Sequence, residues 1–292
     1  MEELKRIQTI DEALRKGSRA LLGAGIGSGA LEASILLGMA TGMDRLALIT
    51  NPSRLLAPEE VAFFCEKIEK RLNREPIQHI RGKQEFMGLD FIVTRSVLIP
   101  RPDTEILVEE VLDRCQENPA PLLLDIGTGS GAIAVSIASY LPSAKITATD
   151  LSPEALEVAK KNALHHGVSI DFLLGPDFEP LEERGGYEGL FDFLVSNPPY
   201  IPSEEIPTLE PEVRDFEPLL ALDGGKDGLD LYRRFAVQAK KYLRKGGWIL
   251  LEVGAGQAPA VAALLADASW EEIGTCLDLS EIERVVFAQK KK

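Results

Sequence analysis

The first 75 residues carry apolar side chains at three- and four-residue spacings, a repeat that places them on one face of a helix. Three stretches show this repeat, at residues 10–22, 30–40 and 58–72. Pro58 stands where the third helix would begin, because proline is well tolerated in the first helical turn. We therefore predict a helical N-terminal domain over residues 1–75.

A different pattern follows, in which short apolar segments surround a glycine. Residues 83–99 are typical of two short strands with a turn at Gly88. Pro100 and Pro102 then stop any regular element, because proline has no backbone N–H to donate. We predict that residues 76–102 form a linker that contains a β-hairpin.

From residue 103 to the end, strand-like and helix-like segments alternate. Five apolar strands are expected, at residues 121–126, 144–150, 169–174, 191–196 and 246–253. Helices are expected at residues 103–115, 131–141, 153–166, 226–243 and 256–267. This alternation is typical of a parallel sheet with helices on both faces. Two further strands, at 270–279 and 282–289, have no helix between them, so we expect an antiparallel hairpin at the sheet edge.

Acidic residues outnumber basic residues, and the excess is confined to one part of the chain. The 292 residues include 46 Asp and Glu against 32 Lys and Arg, which gives a net charge of −14. Residues 1–80 contain 11 of each, so all of the net negative charge lies in residues 81–292. This shift in composition supports a domain boundary near residues 75–85. A chain this acidic is not expected to bind bare nucleic acid, because attraction to phosphate drives that binding.

Composition and cysteine usage indicate an ordinary globular protein of a reducing compartment. Hydrophobic residues make up 45% of the chain and charged residues 27%, which is normal for globular proteins. Cys65, Cys115 and Cys276 are far apart and odd in number, so they predict neither a disulfide framework nor a zinc site. No apolar run reaches the ~18 residues of a membrane-spanning helix. We expect a cytoplasmic protein with no metal and no membrane partner.

A glycine-rich turn follows the strand expected at residues 121–126. Gly127, Gly129 and Gly131 allow a tight turn and let the backbone approach a ligand closely. The next strand ends in Asp150, 23 residues after Gly127. A carboxylate in that position can accept hydrogen bonds from two ribose hydroxyls. Together these features indicate a site for an adenosine-type cofactor.

Asn197, Pro198, Pro199 and Tyr200 follow directly after the strand expected at residues 191–196. Ligands bind at the carboxyl ends of strands in a parallel sheet, so this segment is placed to meet one. The two prolines stiffen it and remove backbone donors, which leaves carbonyl oxygens as acceptors. Asn197 adds a side-chain acceptor, and Tyr200 adds a flat aromatic face. The segment suits a planar nitrogen nucleophile whose N–H groups need acceptors.

Together these motifs resemble those of class I S-adenosylmethionine-dependent methyltransferases, and more closely those of the PrmC/HemK family. The closer resemblance is carried by Arg74-Glu-Pro-Ile-Gln-His-Ile-Arg-Gly82, Glu85-Phe-Met-Gly88, Val97-Leu-Ile-Pro-Arg-Pro-Asp-Thr-Glu105, Phe216-Glu-Pro, Ala221-Leu-Asp-Gly-Gly225 and Leu251-Glu-Val-Gly254. It implies a Rossmann-like α/β fold with a mostly parallel seven-stranded sheet and a C-terminal antiparallel hairpin, preceded by a small helical domain. Residues 1–75 would then bind the substrate, and residues 103–292 would form the methyltransferase domain.

The resemblance also implies an activity. Members of the family use S-adenosylmethionine to methylate N5 of the glutamine in the Gly-Gly-Gln motif of class I peptide chain release factors, which modulates translation termination. The substrate would be bound by Asn197, Pro198, Pro199 and Tyr200. Of these, Asn197, Pro198 and Tyr200 would take part in catalysis.

Transferred residue by residue, the family pattern places the cofactor at the ends of the first strands of the sheet. The glycine-rich turn would wrap its methionine part, Asp150 would bind its ribose, and the pair Asp177-Phe178 would lie near its adenine. Many family members have Trp where Phe178 stands. The cofactor-binding residues implied in this way are Gly127, Thr128, Gly129, Ser130, Gly131, Asp150, Phe178 and Asn197.

Two other functions are compatible with part of the sequence. DNA adenine methyltransferases also carry the Asn-Pro-Pro-Tyr motif, but they need a basic cleft and a means of flipping the base. The charge distribution argues against both. A scaffold that binds the cofactor and acts only through its helical domain would not need an intact motif at residues 197–200.

The residues just after Tyr200 are strongly acidic. Residues 201–230 contain nine acids and two bases, a net charge of −7. An acidic surface beside the substrate entrance would repel nucleic-acid phosphates and attract a basic protein loop. We expect electrostatically assisted docking of a release-factor loop.

Overall fold

The computed structural model describes residues 7–116, 118 and 120–292. The first six residues of the predicted helical domain therefore lie outside the described residues. The α-helices of the described chain, numbered in order, are α1 (Ile10–Gly23), α2 (Gly29–Thr41), α3 (Arg45–Thr50), α4 (Pro58–Leu72), α5 (Ile77–Arg81), α6 (Glu105–Arg114), α7 (Ala132–Tyr140), α8 (Pro153–His165), α9 (Glu179–Arg184), α10 (Pro211–Arg214), α11 (Asp230–Tyr242) and α12 (Ala258–Asp267). The strands are β1 (Lys83–Phe86), β2 (Leu89–Ile92), β3 (Leu122–Ile126), β4 (Lys145–Asp150), β5 (Ile170–Leu174), β6 (Phe191–Ser196), β7 (Leu243–Glu252), β8 (Glu271–Leu277) and β9 (Glu283–Gln289). Short 3₁₀ helices form at Pro102–Thr104, Ile206–Thr208 and Leu219–Ala221.

The described chain divides into two compact units. The first contains the residues up to Gly82 together with Pro211–Phe216, and the second contains Lys83–Glu210 and Glu217–Lys292. The first unit extends beyond residue 75 to Gly82, inside the range 75–85 where the composition changes, because it includes the additional helix α5. No helix among the described residues is long and apolar enough to cross a membrane.

Helix caps and apolar faces define the first unit. α1 begins after Thr9, whose Oγ1 accepts the backbone N–H of Glu12 at 3.3 Å. α4 begins at Pro58, as predicted, and the Glu60 carboxylate accepts the N–H of Ala57 at 2.8 Å. Such bonds satisfy donors that a helix start leaves unpaired. The inward-facing side chains of these helices form one core, which includes Leu21, Leu36, Leu37, Phe64 and Ile68.

α10 packs into this first unit although it comes from a distant part of the chain. The Glu212 carboxylate forms ion pairs with Arg71, at 2.9 Å, and with Arg74, at 2.8 Å. Arg71 also pairs with Glu32 at 2.6 Å, and both of these side chains are buried. Loss of one partner from a buried pair leaves an uncompensated charge. The two ion pairs of Glu212 therefore hold Pro211–Phe216 against the helices of the first unit.

A seven-stranded sheet of order β5-β4-β3-β6-β7-β9-β8 forms the centre of the second unit. β3 to β7 run parallel, whereas β9 pairs antiparallel with both β7 and β8. The strand order reverses between β3 and β6, and a reversal of this kind leaves a crevice at the carboxyl ends of the strands. The sheet and its edge hairpin of β8 and β9 confirm the predicted α/β fold class.

Helices cover both faces of the central strands, so neighbouring residues of one strand enter different cores. Leu123 and Phe193 belong to the core on one face, and Leu124 and Leu194 belong to the core on the other. A parallel sheet covered on both faces needs apolar side chains at successive positions. This explains the continuous apolar runs that predicted the strands.

β1 and β2 form the predicted hairpin around Gly88. Phe86 and Phe91 meet edge to face, with 5.9 Å between ring centroids, and both enter a core of the second unit. Asn162 of α8 accepts the N–H of Ile92 at 2.7 Å and donates to its carbonyl oxygen at 3.0 Å. The hairpin is thus an integral part of the second unit and differs in this from the predicted linker.

Candidate active site

A cavity of about 460 Å³ lies in the second unit, at the carboxyl ends of β3 to β6. Its volume is typical of small-molecule and cofactor sites. Its wall includes Gly127–Ser130, Asp150, Gly175–Asp177 and Ser196–Pro199, with parts of the segment 218–225. The structure therefore brings together the glycine-rich turn, the acid at the end of β4 and the proline segment after β6, which lie in separate parts of the sequence.

The turn between β3 and α7 needs glycine at three positions. Gly127, Gly129 and Gly131 have φ angles of 73°, 57° and 80°, a region that side chains disfavour. Apart from the glycine itself and its chain neighbours, no atom lies within 4 Å of the point where a Cβ on Gly127 or Gly129 would stand. Both glycines line the cavity, and the space at these points is open. Gly131 does not line the cavity but precedes α7, where a Cβ would lie 3.2 Å from the Cβ of Ala159.

Hydrogen bonds fix this turn against the sheet. The N–H groups of Gly127 and Thr128 donate to the Thr149 carbonyl of β4, at 2.9 and 3.0 Å. Beneath the turn, the Thr128 hydroxyl donates to the buried Asp125 carboxylate at 2.6 Å. Burial raises the pKa of Asp125 to about 7, and the bond from Thr128 opposes that shift. Asp125 supports the turn from within the sheet and is not part of the cavity wall.

Asp150, the last residue of β4, lies on the cavity wall. Its Oδ2 accepts the N–H of Gly129 and its Oδ1 accepts the N–H of Ser152, each at 2.8 Å. Burial raises the pKa of Asp150, and these backbone bonds act in the opposite direction. A further backbone N–H, that of Leu151, also bonds the carboxylate. These bonds orient the carboxylate and leave it acceptor capacity for a ligand hydroxyl.

The segment after β6 is anchored on both sides. The Ser196 hydroxyl donates to the carbonyl oxygen of Ile126, at the end of β3, at 2.6 Å. Gln257 donates through Nε2 to the carbonyl oxygen of Tyr200 at 2.9 Å. The two prolines between these anchors line the cavity. Their carbonyl oxygens are the only backbone hydrogen-bonding groups they carry.

Asn197 lies on the cavity wall and is half-buried. Its side-chain nitrogen, Nδ2, donates to the hydroxyl of Thr104 at 3.1 Å. Thr104 is buried and ends the 3₁₀ helix that precedes α6. The amide nitrogen of Asn197 thus has a partner in the protein, and its carbonyl oxygen, Oδ1, is available to a ligand.

Tyr200 is half-buried and packs against the core of the second unit rather than lining the cavity. Its ring contacts Gly254, where an added Cβ would lie 3.0 Å from Cδ2. Burial raises the pKa of its phenol to about 12. The ring is therefore neutral at physiological pH and holds the end of the proline segment in place.

Phe178, for which a cofactor contact is predicted, lies in the core and is not part of the cavity wall. Its side chain is 1% exposed, stacks on Tyr242 at 4.9 Å between ring centroids and meets Phe235 edge-on at 5.8 Å. The preceding Asp177 lines the cavity and pairs with Arg234. The chain turns at Asp177, where φ is 45°, so the carboxylate faces the cavity while the next ring enters the core.

Comparison with known proteins decides the family. The sequence model of the family described as PrmC N-terminal domain matches residues 12–82. The model of the family described as Methyltransferase small domain matches residues 102–208. A release factor glutamine methyltransferase of Geobacter sulfurreducens is 44% identical over 286 residues, 98% of each chain. Another, of Caulobacter vibrioides, is 41% identical over 97% of this chain and 96% of the relative. The chain belongs to the release factor glutamine methyltransferase family. This membership confirms the resemblance found in the sequence.

Solved structures agree at the level of the fold. The catalytic domain of hMettl16, in complex with the MAT2A 3′UTR hairpin 6, has a TM-score of 0.55 at 17% identity, over 82% of this chain and 86% of that one. A methyltransferase from Pyrococcus furiosus has a TM-score of 0.50 at 18% identity, over 70% and 90%. Family and fold together make this protein an S-adenosylmethionine-dependent methyltransferase, as predicted.

One buried acid beside Asn197 was missed by the sequence reasoning. Glu252 ends β7, is 2% exposed and contacts the side chains of Thr104 and Asn197. Burial raises its pKa to about 7. The signal was present in the sequence, because Glu252 follows an apolar run at the end of a strand just as Asp150 does.

Most acids of the segment 201–230 have partners within the protein. Six of the nine form an ion pair or accept a side-chain hydrogen bond: Glu212, Asp215, Glu217, Asp223, Asp227 and Asp230. Glu204, Glu205 and Glu210 are exposed and form no ion pair within the described part of the chain. The charge that is free to act on a partner is thus smaller than the sequence count suggested.

Proposed function

We propose that this protein transfers a methyl group from S-adenosylmethionine to N5 of the glutamine in the Gly-Gly-Gln motif of class I release factors, which modulates translation termination. The observation that carries the proposal is the position of Asn197, Pro198 and Pro199 in the cavity that the glycine-rich turn and Asp150 also line. The relatives described as release factor glutamine methyltransferases support this choice of substrate.

The cavity fits the cofactor. The open space at Gly127 and Gly129 would receive its methionine part, with Thr128 and Ser130 alongside, and the Asp150 carboxylate would accept its ribose hydroxyls. Asn197 would border the cofactor on the side of β6. S-adenosylmethionine supplies an electrophilic methyl group when bound. Its positive charge suits a wall that contains acids.

The substrate side of the site would supply hydrogen-bond acceptors. An amide nitrogen is a poor nucleophile, because its lone pair is delocalised into the carbonyl group. Oδ1 of Asn197 and the carbonyl oxygen of Pro198 would accept the two N–H groups of the glutamine amide and favour a pyramidal nitrogen. Orientation of this kind lowers the barrier without a strong base. The nitrogen would gain the methyl group as the bond between the methyl group and the cofactor sulfur breaks and S-adenosylhomocysteine leaves. The nitrogen would then lose one proton to solvent, while Tyr200 keeps the segment in place.

Charge favours a protein substrate over a nucleic acid. The net charge of −14 opposes binding to phosphates, so we propose no direct nucleic-acid partner. The helical unit, which the PrmC N-terminal domain model matches, would contribute to binding of the release factor. We also place the protein in the cytoplasm, where release factors act on the ribosome.

Transfer of a labelled methyl group tests the proposal. The purified protein is incubated with labelled S-adenosylmethionine and either a class I release factor or duplex DNA. Label is expected only in the release factor, and not in a variant whose motif glutamine is replaced by glutamate, which has no amide nitrogen. Label in DNA would favour an adenine methyltransferase. Binding of the cofactor without transfer to either substrate would favour a scaffold.

A further inference from the structure

Glu252 lies next to Asn197, at the end of the neighbouring strand. β7 pairs with β6 in parallel, and Ser196 is the register partner of Leu251. The residue after each of these, Asn197 and Glu252, therefore follows at the same edge of the sheet. Thr104 completes the group, since its hydroxyl accepts Nδ2 of Asn197 at 3.1 Å.

When Glu252 is ionised, the hydrogen bonds of this group have only one consistent direction. A carboxylate can only accept, so the Glu252 side chain accepts the hydroxyl hydrogen of Thr104 and a hydrogen from Nδ2 of Asn197. The other Nδ2 hydrogen goes to Thr104. Both donor positions of the Asn197 amide are then occupied inside the protein. Its acceptor, Oδ1, makes no hydrogen bond to the described residues.

We propose that Thr104 and Glu252 are positioning residues, which fix the Asn197 amide so that Oδ1 faces the reacting glutamine. This inference rests on the proposed function. An asparagine amide can rotate by half a turn with little change in shape. In the rotated form, Oδ1 would face the Glu252 carboxylate with no hydrogen between them, and Nδ2 would face the substrate N–H groups. The ionised carboxylate excludes that form.

The burial of the Glu252 carboxylate supports a functional role for it rather than a structural one. The second carboxylate oxygen of Glu252, Oε2, is buried and makes no hydrogen bond within the described residues, an arrangement that costs stability. An apolar residue there would avoid the cost. The proposed role accounts for a carboxylate at this position, because its negative charge selects one orientation of Asn197.

The protonation of Glu252 should therefore control turnover. Burial raises the pKa of its carboxyl group to about 7, and Asp103 acts in the same direction, whereas Arg284, Thr104 and Asn197 act in the other. The phenols of Tyr200 and Tyr232 also face it. A protonated carboxyl group becomes a donor and can stabilise the rotated Asn197. Turnover should thus fall as the pH drops below about 7.

Three variants test the role of the group. Glu252→Gln introduces a donor that favours the rotated Asn197, and Thr104→Val removes the hydroxyl at nearly constant volume. Both should lower kcat for the release factor by roughly a hundredfold, with the KM and the cofactor affinity changed much less. Thr104→Ser keeps the hydroxyl and should retain most activity. Thr147→Val, at a buried threonine of β4 outside the cavity, is the matched control and should behave as wild type.

The pH profile separates positioning from packing. Wild-type kcat should rise through pH about 7 under cofactor saturation, and this limb should be absent from the low residual rate of Glu252→Gln. Asp125, whose pKa is also raised to about 7, is intact in the variant, so a limb that persists would overturn the assignment to Glu252. Wild-type turnover in Thr104→Val would overturn it as well, even if Glu252→Gln fails to fold. Failure of the proposed function is distinct, because the wild-type protein itself would then leave the glutamine unmethylated.

Discussion

Asp150 and Asn197 line the same cavity but would contact different molecules. The backbone N–H groups of Gly129 and Ser152 orient Asp150, and Asn197 is tied to Thr104. Asp150 would bind the cofactor, and Asn197 would orient the substrate amide. Substitutions at the two positions should therefore separate affinity from turnover.

Asp150→Ala should weaken the binding of S-adenosylmethionine by roughly ten- to a hundredfold, because it removes charged acceptors of the ribose hydroxyls. The fold should persist, since Asp150 lies at a strand end and fills no core. Isothermal titration calorimetry measures the affinity. Asp171→Ala, at an exposed aspartate of β5, is the control. Wild-type affinity in Asp150→Ala would show that the ribose is bound elsewhere.

Asn197→Ala should lower turnover and leave cofactor affinity nearly unchanged, the reverse of the effect at Asp150. Loss of an oriented polar group from a site of this kind lowers turnover by roughly a hundred- to a thousandfold. Cofactor affinity should change much less, because the ribose and methionine contacts lie elsewhere. Steady-state kinetics with a release factor, combined with calorimetry, give both quantities. Near-normal turnover would remove Asn197 from the mechanism.

Residues in local motifs could be predicted from the sequence, whereas residues defined by the tertiary structure could not. The glycine-rich turn, Asp150 and Asn197 follow strands that end at one edge of the sheet, so their convergence was predictable. Glu252 also ends a predicted strand, but its position beside Asn197 required the knowledge that β7 lies next to β6. The sequence predicted the pair Asp177-Phe178 near adenine, whereas only the structure shows that Asp177 lines the cavity and that the Phe178 ring packs in the core.

The elements of the sheet were predictable because they are buried on both faces and read as continuous apolar runs. β6 spans the predicted residues 191–196, and β4 differs by one residue at its start. β7 begins earlier than predicted, at Leu243, where its register with β6 shifts between Phe191 and Phe193. α10 was not predicted, since four residues are too few to show a helical repeat.

Phe178 joins two elements, because it precedes α9 and packs on the aromatic side chains of α11. Phe178→Ala should destabilise the protein by about 3–5 kcal/mol through the cavity that it creates. Cofactor affinity, measured at a temperature where the variant is folded, should stay close to wild type. Phe178→Leu keeps most of the volume without the ring and should also bind normally. Loss of cofactor affinity in Phe178→Leu would support the predicted contact of Phe178 with adenine.

Over the whole molecule, many acidic residues are paired within the protein, so the charge that can act on a partner is smaller than the net charge of a segment suggests. The segment 201–230 carries a net charge of −7, but Glu212 is committed to Arg71 and Arg74 and Glu217 is buried against Arg101. The sequence gives the number of charges, and only the structure shows which of them are neutralised. Glu204, Glu205 and Glu210 form no ion pair among the described residues and are available for steering a basic loop. Asp223 also keeps its charge, because its side-chain partner is the neutral hydroxyl of Ser203.

Reversal of these three glutamates to lysine should slow association with the release factor and reduce the salt dependence of the rate, because steering acts through unpaired surface charge. Cofactor affinity should not change. Stopped-flow association measures the rate at several ionic strengths. Reversal of Glu183, Asp267 and Glu272, which are exposed acids elsewhere in the second unit, makes the same change in net charge and is the control. Equal effects of the two triple variants would mean that the acidic segment only promotes solubility.

The most direct test of the central claim is the location of the transferred methyl group. Tandem mass spectrometry of a class I release factor after incubation with this protein and S-adenosylmethionine locates the modification to a residue and an atom. The expected result is one methyl group on the side-chain amide nitrogen of the glutamine in the Gly-Gly-Gln motif, and its loss when Asn197 is replaced by alanine. A methyl group on any other residue, or an unmodified glutamine beside an active enzyme, would contradict the account.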